Sequence, residues 1–112
     1  MIGIIGAMEE EVAALKEAMD IQATEEIASM SFCKGELCGK EVVVVRSGIG
    51  KVNAGICAQI LIDHFHVDAL INTGIAGSLD ERIDIGDMVI STDAVHHDMD
   101  ATLFGDPAGW IP

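Results

Sequence analysis

Apolar residues fall into short unbroken runs and one helical stripe, and these define the expected elements. Residues 1–5 are an apolar run closed by Gly6 and read as a buried strand. Over residues 8–19, Met8, Val12, Leu15 and Met19 recur at helical spacing and make one stripe. Residues 30–37 and 41–46 flank Cys38-Gly39-Lys40 and predict a hairpin. Val42-Val43-Val44-Val45 lacks polar alternation, so that strand is expected to be covered on both faces. Residues 52–65 predict a second helix, apolar around most of its circumference. A buried strand is expected over 68–72 and a further strand over 87–95, after the turn residue Gly86. No element is assigned to 20–29. The order predicts an α/β sheet with at least one βαβ crossover, right-handed by rule.

Composition narrows the partners. Six basic residues face nineteen acidic ones, for a formal charge of -13. Without a Lys/Arg cluster to neutralise phosphates, nucleic acid is not an expected partner. Cys33, Cys38 and Cys57 are odd in number and lack Cys-x-x-Cys spacing, so a reducing cytoplasm is expected. The apolar start is followed by Glu9-Glu10-Glu11, unlike a signal peptide, and no run is long enough to span a membrane.

Three of the expected strands end in small-residue loops: Gly6-Ala7-Met8-Glu9, Ser47-Gly48-Ile49-Gly50-Lys51 and Thr73-Gly74-Ile75-Ala76-Gly77-Ser78. If those strands are parallel, all three loops share the carboxyl edge of the sheet, where open α/β sheets bind ligands. Dinucleotide and ATP fingerprints fail. No Gly-x-Gly-x-x-Gly follows the first strand, and around Gly50-Lys51 a P-loop would need Gly where Val45 stands and Ser or Thr where Val52 stands. Glu9, Glu10 and Glu11 suit a helix N-terminus through its dipole. At 100° per residue Glu10 points away from the apolar stripe, whereas Glu9 and Glu11 flank it. Either flanking carboxylate is a candidate general base, and spacing does not choose between them. His96-His97-Asp98-Met99-Asp100 holds metal-ligand types, but neighbours in a strand alternate faces, so no metal site is expected. His64 and His66 read as favourable charges near a helix end or as surface residues. Met30, Met88 and Met99 read as core filler.

Gly3-Ile4-Ile5-Gly6-Ala7-Met8-Glu9-Glu10-Glu11 resembles the opening of bacterial 5'-methylthioadenosine/S-adenosylhomocysteine nucleosidases. Ser47-Gly48-Ile49-Gly50-Lys51-Val52, Asn72-Thr73-Gly74-Ile75-Ala76-Gly77, Gly86-Asp87 and His97-Asp98-Met99-Asp100-Ala101-Thr102, with Phe104-Gly105, extend the resemblance in order. It runs through the whole chain but through only about half of the family's usual length, so residues 1–112 are expected to be the amino-terminal part of a single nucleosidase domain. The resemblance implies a three-layer α/β/α nucleoside-phosphorylase-like fold with a central mixed sheet, and a cytoplasmic homodimer. It implies that water displaces adenine from the anomeric carbon of an adenine thioribonucleoside, as part of methionine salvage, without cofactor or metal. It selects Glu11 to orient and activate the water. It places Ala7, Met8, Ile49, Ile75, Ala76 and Gly77 at the substrate, and Ala101, Phe104 and Pro112 over the 5' pocket of the partner subunit. Ile75 stands where well-known members have Ser, and Asp106-Pro107-Ala108-Gly109-Trp110 replaces their Tyr-x-Tyr-Gly-Gln. The family's catalytic Asp and its ribose-binding Glu match no position here, so residues 1–112 alone are not expected to turn over substrate. The rival readings are a purine nucleoside phosphorylase, a futalosine-type hydrolase of the same fold, and a non-catalytic remnant. The phosphorylases commonly carry Gly-Asp-Pro-x-Arg after the first strand, where this chain has Met8-Glu9-Glu10-Glu11.

Overall fold

The computed structural model describes residues 1–111. The chain divides into two compact units, Met1–Gly77 and a second that begins at Ser78. The first contains β1 (Ile2–Gly6), α1 (Glu9–Ala18), β2 (Asp20–Ile27), β3 (Met30–Leu37), β4 (Lys40–Arg46), α2 (Lys51–Asp63) and β5 (Ala69–Asn72). The strands form one sheet in the order β2-β3-β4-β1-β5. β4, β1 and β5 are parallel to one another, whereas β2 and β3 join as antiparallel neighbours, so the sheet is mixed.

The valine run explains the layering. Side chains on a strand alternate faces. Val42 and Val44 enter one apolar cluster with Ile4, Val12 and Met19, the α1 side. Val43 and Val45 enter the other with Ile5, Phe32, Cys57, Leu61 and Phe65, the α2 side. A helix therefore covers each face of β4, and all four valines are buried, as the lack of polar alternation required. The three-layer arrangement expected from the sequence is present. Burial pushes the Cys57 thiol up to about 11, so it stays protonated and serves as packing.

The 30–37 strand is found as expected, but its partner begins one residue early, because Lys40 pairs with Leu37 across a two-residue turn. Cys38 and Gly39 both have positive φ, 51° and 75°, as a tight hairpin turn needs. β2 is the element the pattern did not predict. Seven of its eight residues are exposed, and its turn to β3 is Ala28-Ser29, both at positive φ without the usual Asn or Gly. Gly35 lets this edge strand approach, since a Cβ there would lie 2.0 Å from the Asp20 carbonyl oxygen.

Three expectations are corrected. β5 forms, but as an edge strand it is exposed along its length, Leu70 at 40% and Ile71 at 48%. Residues 87–95 form no strand, because among the described residues of the second unit no neighbour supplies a hydrogen-bonded ladder. Its described residues hold one short 3-10 turn, Thr102–Phe104, with Ala101 at the N-cap, and just before it the Asp100 Oδ1 accepts from the Thr102 N–H at 3.0 Å. Met30 is core, but Met88 and Met99 are exposed, at 90% and 37%, because the strand meant to bury Met88 is absent and Met99 lies in open loop.

Candidate active site at the carboxyl edge of the sheet

Because β1, β4 and β5 run parallel, their carboxyl ends coincide and the three small-residue loops lie along one edge. Backbone bonds tie the loops to the strand ends. The Ser47 N–H donates to the Gly6 carbonyl at 2.9 Å, and the Thr73 N–H to the Ile5 carbonyl at 2.9 Å. The Ser47 hydroxyl is turned onto the Gly48 carbonyl at 2.8 Å. A cavity of about 440 Å³ opens at this edge, lined by Ala7, Met8, Glu9, Glu10, Ser29, Arg46, Ser47, Gly48 and Ile49.

The three glutamates at the start of α1 part ways. Glu10 is exposed, yet with the equally exposed Glu9 it lines the cavity, so exposure alone does not set it apart. The Glu9 carboxylate is held by two cations, Lys16 Nζ at 3.0 Å and Arg46 Nε at 3.9 Å. Glu11 instead faces backbone. Its Oε2 accepts from the Ala7 N–H at 2.7 Å and the Met8 N–H at 3.0 Å, and its Oε1 from the Ile75 N–H at 3.3 Å. The Met8 bond is the Glu half of a capping box on α1. The Ile75 bond spans 64 residues and joins the loop after β5 to the loop after β1. The Met8 N–H is the main cause holding the Glu11 carboxyl below its ordinary value. Partial desolvation opposes it, and the Ile75 and Ala7 N–H groups add to it. Glu11 is therefore ionised at neutral pH and half-buried, beside the cavity rather than in its lining.

Of the expected substrate residues, Ala7, Met8 and Ile49 line the cavity, and Ile75 meets Glu11 through its amide. Ala76 and Gly77 are exposed and do not line it. Ala101 precedes the 3-10 turn of the second unit, and Phe104 ends that turn at 88% exposure. Pro112 lies outside the described residues. Arg46 and Ser29 also line the cavity and were not expected. Arg46 carried a usable signal, as a charged residue at the carboxyl end of a buried parallel strand. Ser29 carried none, because its turn was not predicted. Among the described residues no three His, Cys, Asp or Glu side chains converge as metal ligands. His64 caps the end of α2 and meets Glu25 at 2.8 Å, a surface contact. No described helix is long and apolar enough to cross a membrane.

A Glu-bearing helix start beside three glycine loops on a mixed α/β sheet agrees with the family match, which covers residues 1–111 with the model of the phosphorylase superfamily. The chain belongs to the phosphorylase superfamily. Within that superfamily it is 54% identical over 112 residues to the 5'-methylthioadenosine/S-adenosylhomocysteine nucleosidase of Staphylococcus haemolyticus, covering 100% of this chain and 49% of the relative. It superposes with a TM-score of 0.95 and 49% identity on the solved nucleosidase of the same name from Colwellia psychrerythraea in complex with adenine, covering 99% of this chain and 46% of that one. The solved futalosine hydrolase of Helicobacter pylori is more distant, at 35% identity and a TM-score of 0.88, covering 99% of this chain and 48% of that one. This superfamily member spans about half the length of the curated relatives it matches.

Proposed function

We propose that the protein carrying this chain hydrolyses the N-glycosidic bond of 5'-methylthioadenosine and S-adenosylhomocysteine, releasing adenine and the thioribose product. The observation that carries this reading is the Glu11 carboxylate, ionised and fixed between the loops after β1 and β5, with Met8 and Ile49 at the adjoining cavity. The similarity to nucleosidases of that name supports the substrate class. In the reaction Glu11 orients a water and accepts its proton as the oxygen bonds to the anomeric carbon. The bond to the purine nitrogen breaks, and adenine leaves with a proton. By resemblance that proton comes from an Asp that matches no position of this chain. Ala7, Met8, Ile49, Ile75, Ala76 and Gly77 contact substrate in this reading. Water is the only co-substrate, and the protein works as a cytoplasmic homodimer in methionine salvage, with Ala101, Phe104 and Pro112 over the partner's 5' pocket.

One observation favours a second reading. Arg46 lines the cavity, and a guanidinium there is suited to phosphate, as a phosphorylase would need. Against it, Arg46 shares its cavity wall with Glu9 and Glu10, and Glu9 lies 3.9 Å away. Carboxylates so placed repel phosphate. The natural protein that carries this chain is incubated with 5'-methylthioadenosine with and without phosphate. Adenine release at the same rate in both is expected. A ribose 1-phosphate product would establish phosphorolysis instead.

A further inference from the structure

The Glu11 side chain runs past two glycines far apart in sequence. Gly6 ends β1, and a Cβ there would lie 3.1 Å from the Glu11 Cβ and 2.6 Å from Val12 Cγ1. Gly74 follows β5, and a Cβ there would lie 2.7 Å from Oε1, 3.2 Å from Cδ and 3.5 Å from Oε2 of Glu11. The φ of Gly74 is not positive, so its backbone conformation does not demand glycine; the carboxylate beside it does. By contrast, a Cβ on Gly55 or Gly77 would meet nothing within 4 Å. The crowded atom, Oε1, is the one that accepts from the Ile75 N–H at 3.3 Å. A methyl group at position 74 must push that oxygen away from the amide or move the loop.

We propose that Gly74 is a positioning residue for the Glu11 carboxylate. The bare Cα leaves the slot in which Oε1 reaches the Ile75 amide, and so fixes the carboxylate between the loops after β1 and β5. The catalytic consequence rests on the reading of Glu11 as the water-activating group, whereas the packing consequence does not. A carboxylate displaced by about 1 Å from its working position loses turnover more than binding, because positioning acts on the reacting water.

A double-mutant cycle on the natural protein tests the packing: Gly74→Ala, Glu11→Ala and the two together, with Gly55→Ala as a control for the same chemical change. Gly74→Ala should lower Tm by about 2–8 °C, and by less than half as much in the Glu11→Ala background, where nothing obstructs the methyl group. It should also shift the Ile75 amide resonance further with Glu11 present than in the Glu11→Ala background, where only the change of neighbouring residue acts. Equal Tm losses, or equal shifts of the Ile75 amide, in the two backgrounds overturn the proposal. If Gly74→Ala does not fold, adding Glu11→Ala must restore folding, and failure to do so overturns it too. On 5'-methylthioadenosine, Gly74→Ala should lower kcat roughly 10- to 100-fold with KM changed less than about threefold, and cost less in a Glu11→Asp background, whose shorter side chain vacates the slot. Native kcat in Gly74→Ala overturns the positioning role. If the unaltered protein releases no adenine, the functional reading fails, and the Tm cycle and the Ile75 amide decide the packing by themselves.

Discussion

Three amide N–H groups from two loops converge on the Glu11 carboxylate, and each favours its charged form. An ionised carboxylate at neutral pH can take a proton from water, so in the proposed reaction Glu11→Gln should keep ligand binding and lose kcat by roughly 100-fold or more. Near-native kcat in that variant would move the base elsewhere. The same hydrogen bonds link protonation to folding. Because the folded carboxyl lies below its ordinary value of 4.5, its contribution is fully present above that pH and is lost as pH falls through the folded value. Asp68 acts in the same direction through its hydrogen bond and charge pairing with the N-terminal ammonium. Urea midpoints should therefore decline from about pH 4.5 downward, and Glu11→Gln should flatten that decline. An unchanged acid slope in Glu11→Gln would show that the amide bonds do not act on stability. Helical projection ruled out Glu10 but left Glu9 and Glu11 level. What separates them is tertiary: Arg46 comes to Glu9 from β4, and the Ile75 amide to Glu11 from beyond β5.

The elements that formed as expected owe this to strong local pattern. β1 is a short apolar run and β4 carries four consecutive buried valines, and α1 buries Val12, with Met19 buried just past its end. β2 escaped notice because an edge strand exposes both faces and needs no apolar alternation, so its polar sequence reads as loop. Its partner β3 shows where the energy lies. Phe32 is fully buried, stacked on Phe65 with ring centroids 5.1 Å apart, and packed among Val43, Val45 and Leu61. Phe32→Ala should cost about 3–5 kcal/mol, measured by urea denaturation. Within a total of roughly 5–15 kcal/mol, that loss brings the domain near unfolding. A loss below about 1 kcal/mol would mean that the cluster closes over the space.

At the scale of the molecule, apolar surface remains on elements whose sequences read as covered. Val52 and Ile56 of α2 and Ile71 of β5 are exposed at 77%, 44% and 48%. Large exposed apolar area marks surfaces that meet other protein. In the second unit, Phe104 is likewise exposed, and in the proposed dimer it covers the 5' pocket of the partner. Phe104→Ala should weaken long-tailed 5'-thioalkyl ligands several-fold, and adenine hardly at all. Isothermal titration with a ligand pair differing only in the tail checks this, and an equal loss for both would remove Phe104 from the pocket.

Local pattern was enough for the strands flanking the core, both helices, the tight turn at Cys38-Gly39 and the family resemblance, since each is written in neighbouring residues. It was enough, too, to expect the three glycine loops at one edge once the strands were taken as parallel. The exposed β2, the missing strand at 87–95 and the open β5 followed from who pairs with whom, because a strand exists only through the ladder it shares with a neighbour. The family resemblance alone singled out Glu11; its contact with the loop beyond β5, the presence of Arg46 in the cavity wall and the need for glycine at 74 emerged only when distant segments met. Each depends on a contact between residues 37 to 64 positions apart, a separation over which no sequence spacing carries a direction.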